Sequence, residues 1–329
     1  MIRAYFKNGC LSKKDLLLAA FNKRIPYSVH AKKISSLFNE KNNQPSEFSE
    51  KVTMHLQPYS GNNAYAKRMI SFLEKNLKDD LVGAYAHGSV GTGEEVAYSD
   101  FDAFVIIKNN SLQQPGKLKR VALLLNQSEK IMTAMDPLQH HGWFILTEDD
   151  LYNYPEDYLP HELWQYATVL TGERELVVHV NKTGYHDEFI GAYHKFSSHL
   201  LRNLRSRKFL INYYDLKSVL SGFMLLPSIY LQAKTGKAIF KKFSFDNLKN
   251  EMGTAYAVMD EVSAIRAQWN YQSSVLYKLL LQQKPFLLTY FFKKKLSGKL
   301  STELQNKIDD AFIKRMITFV EVLNKNITR

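Results

Sequence analysis

The sequence predicts an α+β protein: a mixed sheet with flanking helices, followed by an all-α helical bundle. Three observations carry this. Between residues 59 and 180, short apolar runs of strand length alternate with longer segments of helical periodicity. After Asn181 strand signals nearly vanish, and apolar residues recur at helical spacing to the end. Within the first region, Val82–Ala86 runs into Gly88-Ser89, and Asp100-Phe101-Asp102 leads into the apolar Ala103–Ile107. At 329 residues the chain is long enough for two domains, each with its own core.

Residues 1–58 read as a partly helical N-terminal leader. Ser12-x-x-Asp15 is a capping box ahead of an apolar run, so a helix is expected over Ser12–Asn22. Asn39–Ser49 is polar, contains Pro45, and reads as a loop. The core is placed at 59–180. A helix over Ala64–Leu77 has Ile70, Leu73 and Leu77 on one face and leads into strand Val82–Ala86. After the Gly-Ser turn come strand Phe101–Ile107, helix Lys117–Ala134 and strand Gly142–Leu146. Thr147 is suited to cap a helix start whose first turn holds Glu148, Asp149 and Asp150. Leu163–Leu170 is read as helical and Glu175–Val180 as a last strand. Residues 181–329 form the helical domain, with helices over His186–Arg205, Tyr213–Ala233, Tyr256–Gln283 and Ser301–Asn324. Gly236 and Pro285 punctuate them, and Lys234 to Lys242 is read as a loop.

Composition limits the function classes. Hydrophobic residues make up 45% and charged residues 23%, as in globular proteins. The opening residues are interrupted by charge and do not resemble a secretory signal, so a cytoplasmic location is expected. The most apolar helix candidate, Val219–Leu231, is too short to span a bilayer and holds Gly222 and Pro227. The single cysteine, Cys10, excludes an internal disulfide framework and a cysteine-built zinc cage. The formal net charge of +12 is compatible with nucleic acid, with anionic nucleotides, or with a solvated basic surface. No aromatic-plus-glycine RNA-binding signature appears, so a nucleic-acid partner is unsupported.

The chemistry sits in Tyr85–Ile107. A turn of small residues lets backbone N–H groups approach a phosphate chain. Asp100 and Asp102 are two apart, so in an extended strand both carboxylates point to one face. Mg²⁺ takes hard oxygen ligands and commonly bridges one or two carboxylates to substrate phosphates. The same residues could form a glycine-rich hairpin followed by a Ser-Asp turn, although that leaves two aspartates beside five apolar residues unexplained.

Gly88-Ser89, ten residues, then Asp100-x-Asp102 resembles the signature of the polymerase-beta-type nucleotidyltransferase superfamily, in its minimal and aminoglycoside-modifying branches. The resemblance implies a nucleotidyltransferase-type mixed sheet, and a Gly88-Ser89 turn that holds the triphosphate. It implies Asp100 and Asp102 as catalytic metal ligands, Mg²⁺ as cofactor, and a nucleoside triphosphate, ATP being the expected one, as co-substrate. A core followed by a helical bundle is also the layout of the superfamily's small-molecule-modifying members, with the cleft between the two parts. The implied reaction moves a nucleoside monophosphate to a hydroxyl of a small-molecule acceptor. Nucleotidylation of protein or RNA, synthesis of a nucleotide signal, and non-catalytic nucleotide binding are the alternatives.

The superfamily usually supplies a third carboxylate from a neighbouring strand. Here no acid lies inside Trp143–Leu146. Asp136, His141 and His140 are the candidates to complete the site and activate the acceptor. Asp136 before Pro137 could equally be a turn residue, and the histidine pair a structural one. Lys217 and Ser221, four apart on a helix, resemble the Lys and Ser with which some branches contact triphosphate. Lys234, Lys237, Lys241 and Lys242 could clamp phosphate or serve as helix-end cations. His194 and His199 form no recognisable metal motif.

Overall fold

The computed structural model describes residues 49–154, 156, 159–181, 186–283 and 292–327. The expected helix at Ser12–Asn22 and all but the last residue of the expected Asn39–Ser49 loop lie outside these residues. The elements that frame the site run in the order β1 (Ser49–His55), β2 (Gln57–Pro58), α1 (Ala64–Asn76), β3 (Leu81–Ala86), α2 (Gly88–Thr92), β4 (Ala103–Ile107), α3 (Asn109–Leu112), α4 (Pro115–Met135), β5 (Phe144–Thr147), β6 (Thr168–Gly172) and β7 (Glu175–Asn181). Helices follow: α5 (His186–Ser206), α6 (Tyr213–Thr235), α7 (Lys241–Met252), α8 (Ala257–Ala267), α9 (Val275–Gln283), α10 (Thr302–Lys307) and α11 (Asp310–Ile327).

The central sheet is mixed, in the order β2-β6-β3-β4-β5. β3 pairs antiparallel with β4 and with β6, whereas β5 pairs parallel with β4 and β2 parallel with β6. β4 is buried along its whole length, which is why its sequence is a continuous apolar run and does not alternate. Its side chains still divide by face. Ala103, Val105 and Ile107 pack with α1 and α4, while Phe104 and Ile106 join Tyr85 and Trp164 on the other side. On that side Phe104 stacks between Tyr85 (4.8 Å) and Trp164 (4.7 Å).

Helix α1 starts where Asn63 accepts hydrogen bonds from the Tyr65 and Ala66 N–H groups. After β5, Thr147 and Asp150 form a reciprocal capping box over a short 3-10 helix, as the acidic cluster suggested. Glu148 and Asp149 accept from Asn109, so these acids are structural.

Several expectations are corrected. The residues from Leu163 to Leu170 do not form a helix. A 3-10 helix spans His161–Tyr166, and Thr168–Gly172 is β6, beside β3 in the centre of the sheet. Its Thr-Val-Leu-Thr run suits a pleated surface better than a helix. Residues 49–58, read with the leader, contain β1 and β2; β1 pairs antiparallel with β7 as a separate ribbon. The Gly-Ser turn is the start of the five-residue helix α2. β4 begins at Ala103, not Phe101, because Phe101 gives both backbone groups to a side chain, as described below. Lys241–Met252, within and beyond the expected loop, is α7. The expected Tyr256–Gln283 helix is interrupted between Ala267 and Val275, and the Ser301–Asn324 helix divides where Asp309 begins a new one by accepting from the Phe312 N–H (2.7 Å).

The helical half surrounds one apolar core centred on α6, in which Leu216, Leu220, Phe223 and Tyr230 are fully buried. Tyr98 and Leu138 from the first half belong to that same core, so the halves share a packed junction. Among the described residues, no helix is long and apolar enough to cross a membrane.

Candidate active site

The site is built where β3 ends and β4 begins. The His87 N–H donates to the Asp102 carbonyl (2.9 Å), continuing the β3–β4 pairing one step past the ladder. Asp100, Phe101 and Asp102 form an extended approach to β4. Phe101 is buried between two partly exposed aspartates, the alternation an extended chain imposes. Gln139 fixes that approach. Its amide accepts from the Phe101 N–H (2.8 Å) and donates to the Phe101 carbonyl (2.9 Å). Both backbone groups between the aspartates are thus satisfied by one buried side chain.

Gly88 brings Asp102 against α2. Its φ is +62°, and a Cβ there would lie 2.5 Å from Asp102 Oδ2. Only glycine allows both the left-handed backbone and the approach of the carboxylate. No side chain caps α2, whose first residue is Gly88 and second Ser89. His141 Nε2 lies 2.9 Å from Asp102 Oδ1, and the two form an ion pair. Burial by itself would raise the Asp102 carboxyl, but the His141 hydrogen bond and charge hold it well below the usual range. Burial likewise opposes protonation of His141, yet its bond to Asp102 carries it up to about 9.

Asp100 faces a different partner. Lys217 Nζ is 2.5 Å from Asp100 Oδ1 and 2.7 Å from Asp136 Oδ2. The lysine is fully buried. Asp136 therefore does join the site, but behind the lysine. Its other oxygen accepts from the Leu138 N–H (3.0 Å), and it is only 5% exposed. Burial, aided by the charge of Asp100, lifts Asp136 to about 7 against the pull of Lys217. Burial would raise Asp100 too, but Lys217 holds it below the carboxylate range.

The other expected residues separate. Ser221 Oγ is 2.9 Å from the Tyr98 hydroxyl, which donates to the Lys217 carbonyl (2.9 Å). The pair predicted on one face of α6 thus braces the junction between the halves. His140 stacks on Tyr214 (4.5 Å), and burial lowers it to about 4 against the opposing charge of Asp100. Lys234 pairs with Glu251 and Lys242 with Glu94, while Lys237 is exposed. Lys241 is the member of that group whose charge reaches Asp102 and Asp100. Burial and the neighbouring Arg266 lower it from the ordinary lysine value.

Three contributors had no signal in the sequence reading. Lys293 donates to the Gln139 carbonyl, and burial brings it down to about 8 while Asp136, Glu129 and Asp100 oppose the shift. Gln139 clamps the Phe101 backbone from 38 positions away. His87 is held neutral by burial beside Asp102. None lies in a spacing pattern, since each reaches the site through tertiary packing.

A comparison with solved structures finds a spectinomycin adenyltransferase from Enterococcus faecialis, solved with ATP and spectinomycin. It matches at 15% identity and a TM-score of 0.33, over 79% of this chain and 100% of that one. A likeness at that score lends no weight to any residue's role here. No family model matches the chain and no curated protein matches it.

Proposed function

We propose that this protein transfers a nucleoside monophosphate from a nucleoside triphosphate, ATP being the first to test, to a hydroxyl of a small-molecule acceptor, releasing pyrophosphate. The observation that carries this reading is the convergence of Asp100 and Asp102 beside the glycine-led start of α2. Both carboxylates are ionised and partly open, at 16% and 26% side-chain exposure. A pair of open, charged, hard oxygen donors fits Mg²⁺. Asp100 and Asp102 would hold the ion, which would supply charge neutralisation and alignment of the phosphate for in-line attack. Gly88 and Ser89 would bind the triphosphate through backbone N–H groups.

The protein's own part is positioning and charge. Gln139 sets the backbone between the two aspartates. His141, protonated through Asp102, would offer positive charge to a phosphate oxygen, and would have to lose its proton before serving as a base. Asp136 has both oxygens engaged, and would act on the acceptor only through Lys217 and Asp100. Lys241 would neutralise the departing pyrophosphate from the helical side.

The test is Mg²⁺-dependent pyrophosphate release across a panel of small polyhydroxyl acceptors, in the wild type and in Asp102→Ala. Release by the wild type and its loss by at least about a hundredfold in the variant is the expected result, the scale of one charge-stabilising group. Equal triphosphate binding with and without the aspartates, together with no pyrophosphate from any acceptor, would overturn it.

A further inference from the structure

The space between Asp100 and Asp136 is already filled by a cation. Lys217 Nζ touches an oxygen of each, at 2.5 and 2.7 Å, and the lysine has no exposed surface. Its place is set by more than the two ion pairs. The residue lies on α6 beside fully buried Leu216, its ammonium sits 4.9 Å from the Tyr98 ring centroid, and the Tyr98 hydroxyl holds its carbonyl. Asp136 lies behind the ammonium, 5% exposed, with one oxygen on Lys217 and the other accepting from the Leu138 N–H.

We propose that Lys217 is a resident cation standing where a second divalent ion would bridge Asp100 and Asp136, so that the nucleotide complex takes one divalent ion per chain. This rests on the nucleotidyl-transfer reading and sharpens its metal requirement. Asp100 and Asp102 would hold the single ion, their side chains being the partly exposed ones at 16% and 26%. An ion bound at about 2.0–2.1 Å from the oxygens that Lys217 touches would collide with its ammonium.

The experiment counts bound Mn²⁺ by electron paramagnetic resonance, with the full chain saturated by α,β-methylene ATP. One Mn²⁺ per chain in the wild type is expected. Two per chain overturn the proposal and leave the transferase reading intact. No nucleotide-dependent Mn²⁺ binding overturns the transferase reading itself. Lys217→Met removes the ammonium and leaves an unbranched apolar side chain one atom shorter, and is expected to raise the count from one to two. A folded Lys217→Met protein that still binds one also overturns the proposal. The wild-type count decides by itself if that variant fails to fold.

Discussion

Gly88 is the residue at which the site tolerates least change. Its positive φ disfavours any L side chain by about 1–2 kcal/mol, and a Cβ would meet the Asp102 carboxylate. Gly88→Ala is expected to weaken nucleotide binding at least about tenfold and to lower the melting temperature by several degrees; calorimetric titration with unchanged affinity would refute this. His140 carries a pH prediction. Its folded pKa, about 4, lies below the unfolded value of 6.5, so between these limits the unfolded chain binds more protons. Its contribution to stability is therefore present above pH 6.5 and lost as pH falls toward 4, to a limit of about 3 kcal/mol. Asp100, Lys217 and Lys293 face the same ring, so the comparison must be with a variant. His140→Phe keeps the stack on Tyr214 and should flatten the acid limb, measured as the urea midpoint at pH 7 and pH 5. An unchanged difference between the two midpoints would remove His140 from the acid response.

At the scale of elements, the approach to β4 depends on a side chain from elsewhere in the chain. Gln139 satisfies the N–H and the carbonyl of Phe101, and Lys293 in turn donates to Gln139. Gln139→Leu leaves both buried groups of Phe101 without partners. It should cost about 3 kcal/mol in chemical denaturation, with a loss under about 1 kcal/mol counting against the clamp. Much of this region was legible in the sequence. The helix over α1, the strands β3 and β4, the α4 helix and the Thr147 cap follow from local periodicity and local hydrogen bonding. β6 was not legible as a strand. Its residues also fit a short buried helix, and only its pairing with β3 decides between them. α7 was hidden because its lysine-rich start lacks a capping side chain.

Across the whole molecule, the two halves are joined through Tyr98. It is 2% exposed, packs edge-on against Trp269 (5.0 Å), and bonds to the Lys217 carbonyl and to Ser221. A second tie runs from the Tyr277 hydroxyl to the Pro137 carbonyl (2.9 Å). With a shared core, far-ultraviolet circular dichroism and tryptophan fluorescence should report one coincident unfolding transition. Tyr98→Ala should cost about 3–5 kcal/mol, the range for emptying a buried aromatic site. It should also reduce transfer, because the lysine between the acids loses its brace. Two separate wild-type transitions would show that the halves unfold independently.

The local pattern alone determined that Gly88, Asp100 and Asp102 belong together, since a glycine after a strand and two acids ahead of an apolar run need only short-range geometry. It also determined that a helical half follows. Tertiary structure decided the partners: Asp136 as the acid behind the first, Lys217 as the cation between them, and His141 on Asp102. Those pairings join residues that are 39 to 117 positions apart. Their energy comes from shared burial, which makes an unpaired charge costly and selects each partner in space. No spacing rule records which lysine of the helical half meets that requirement.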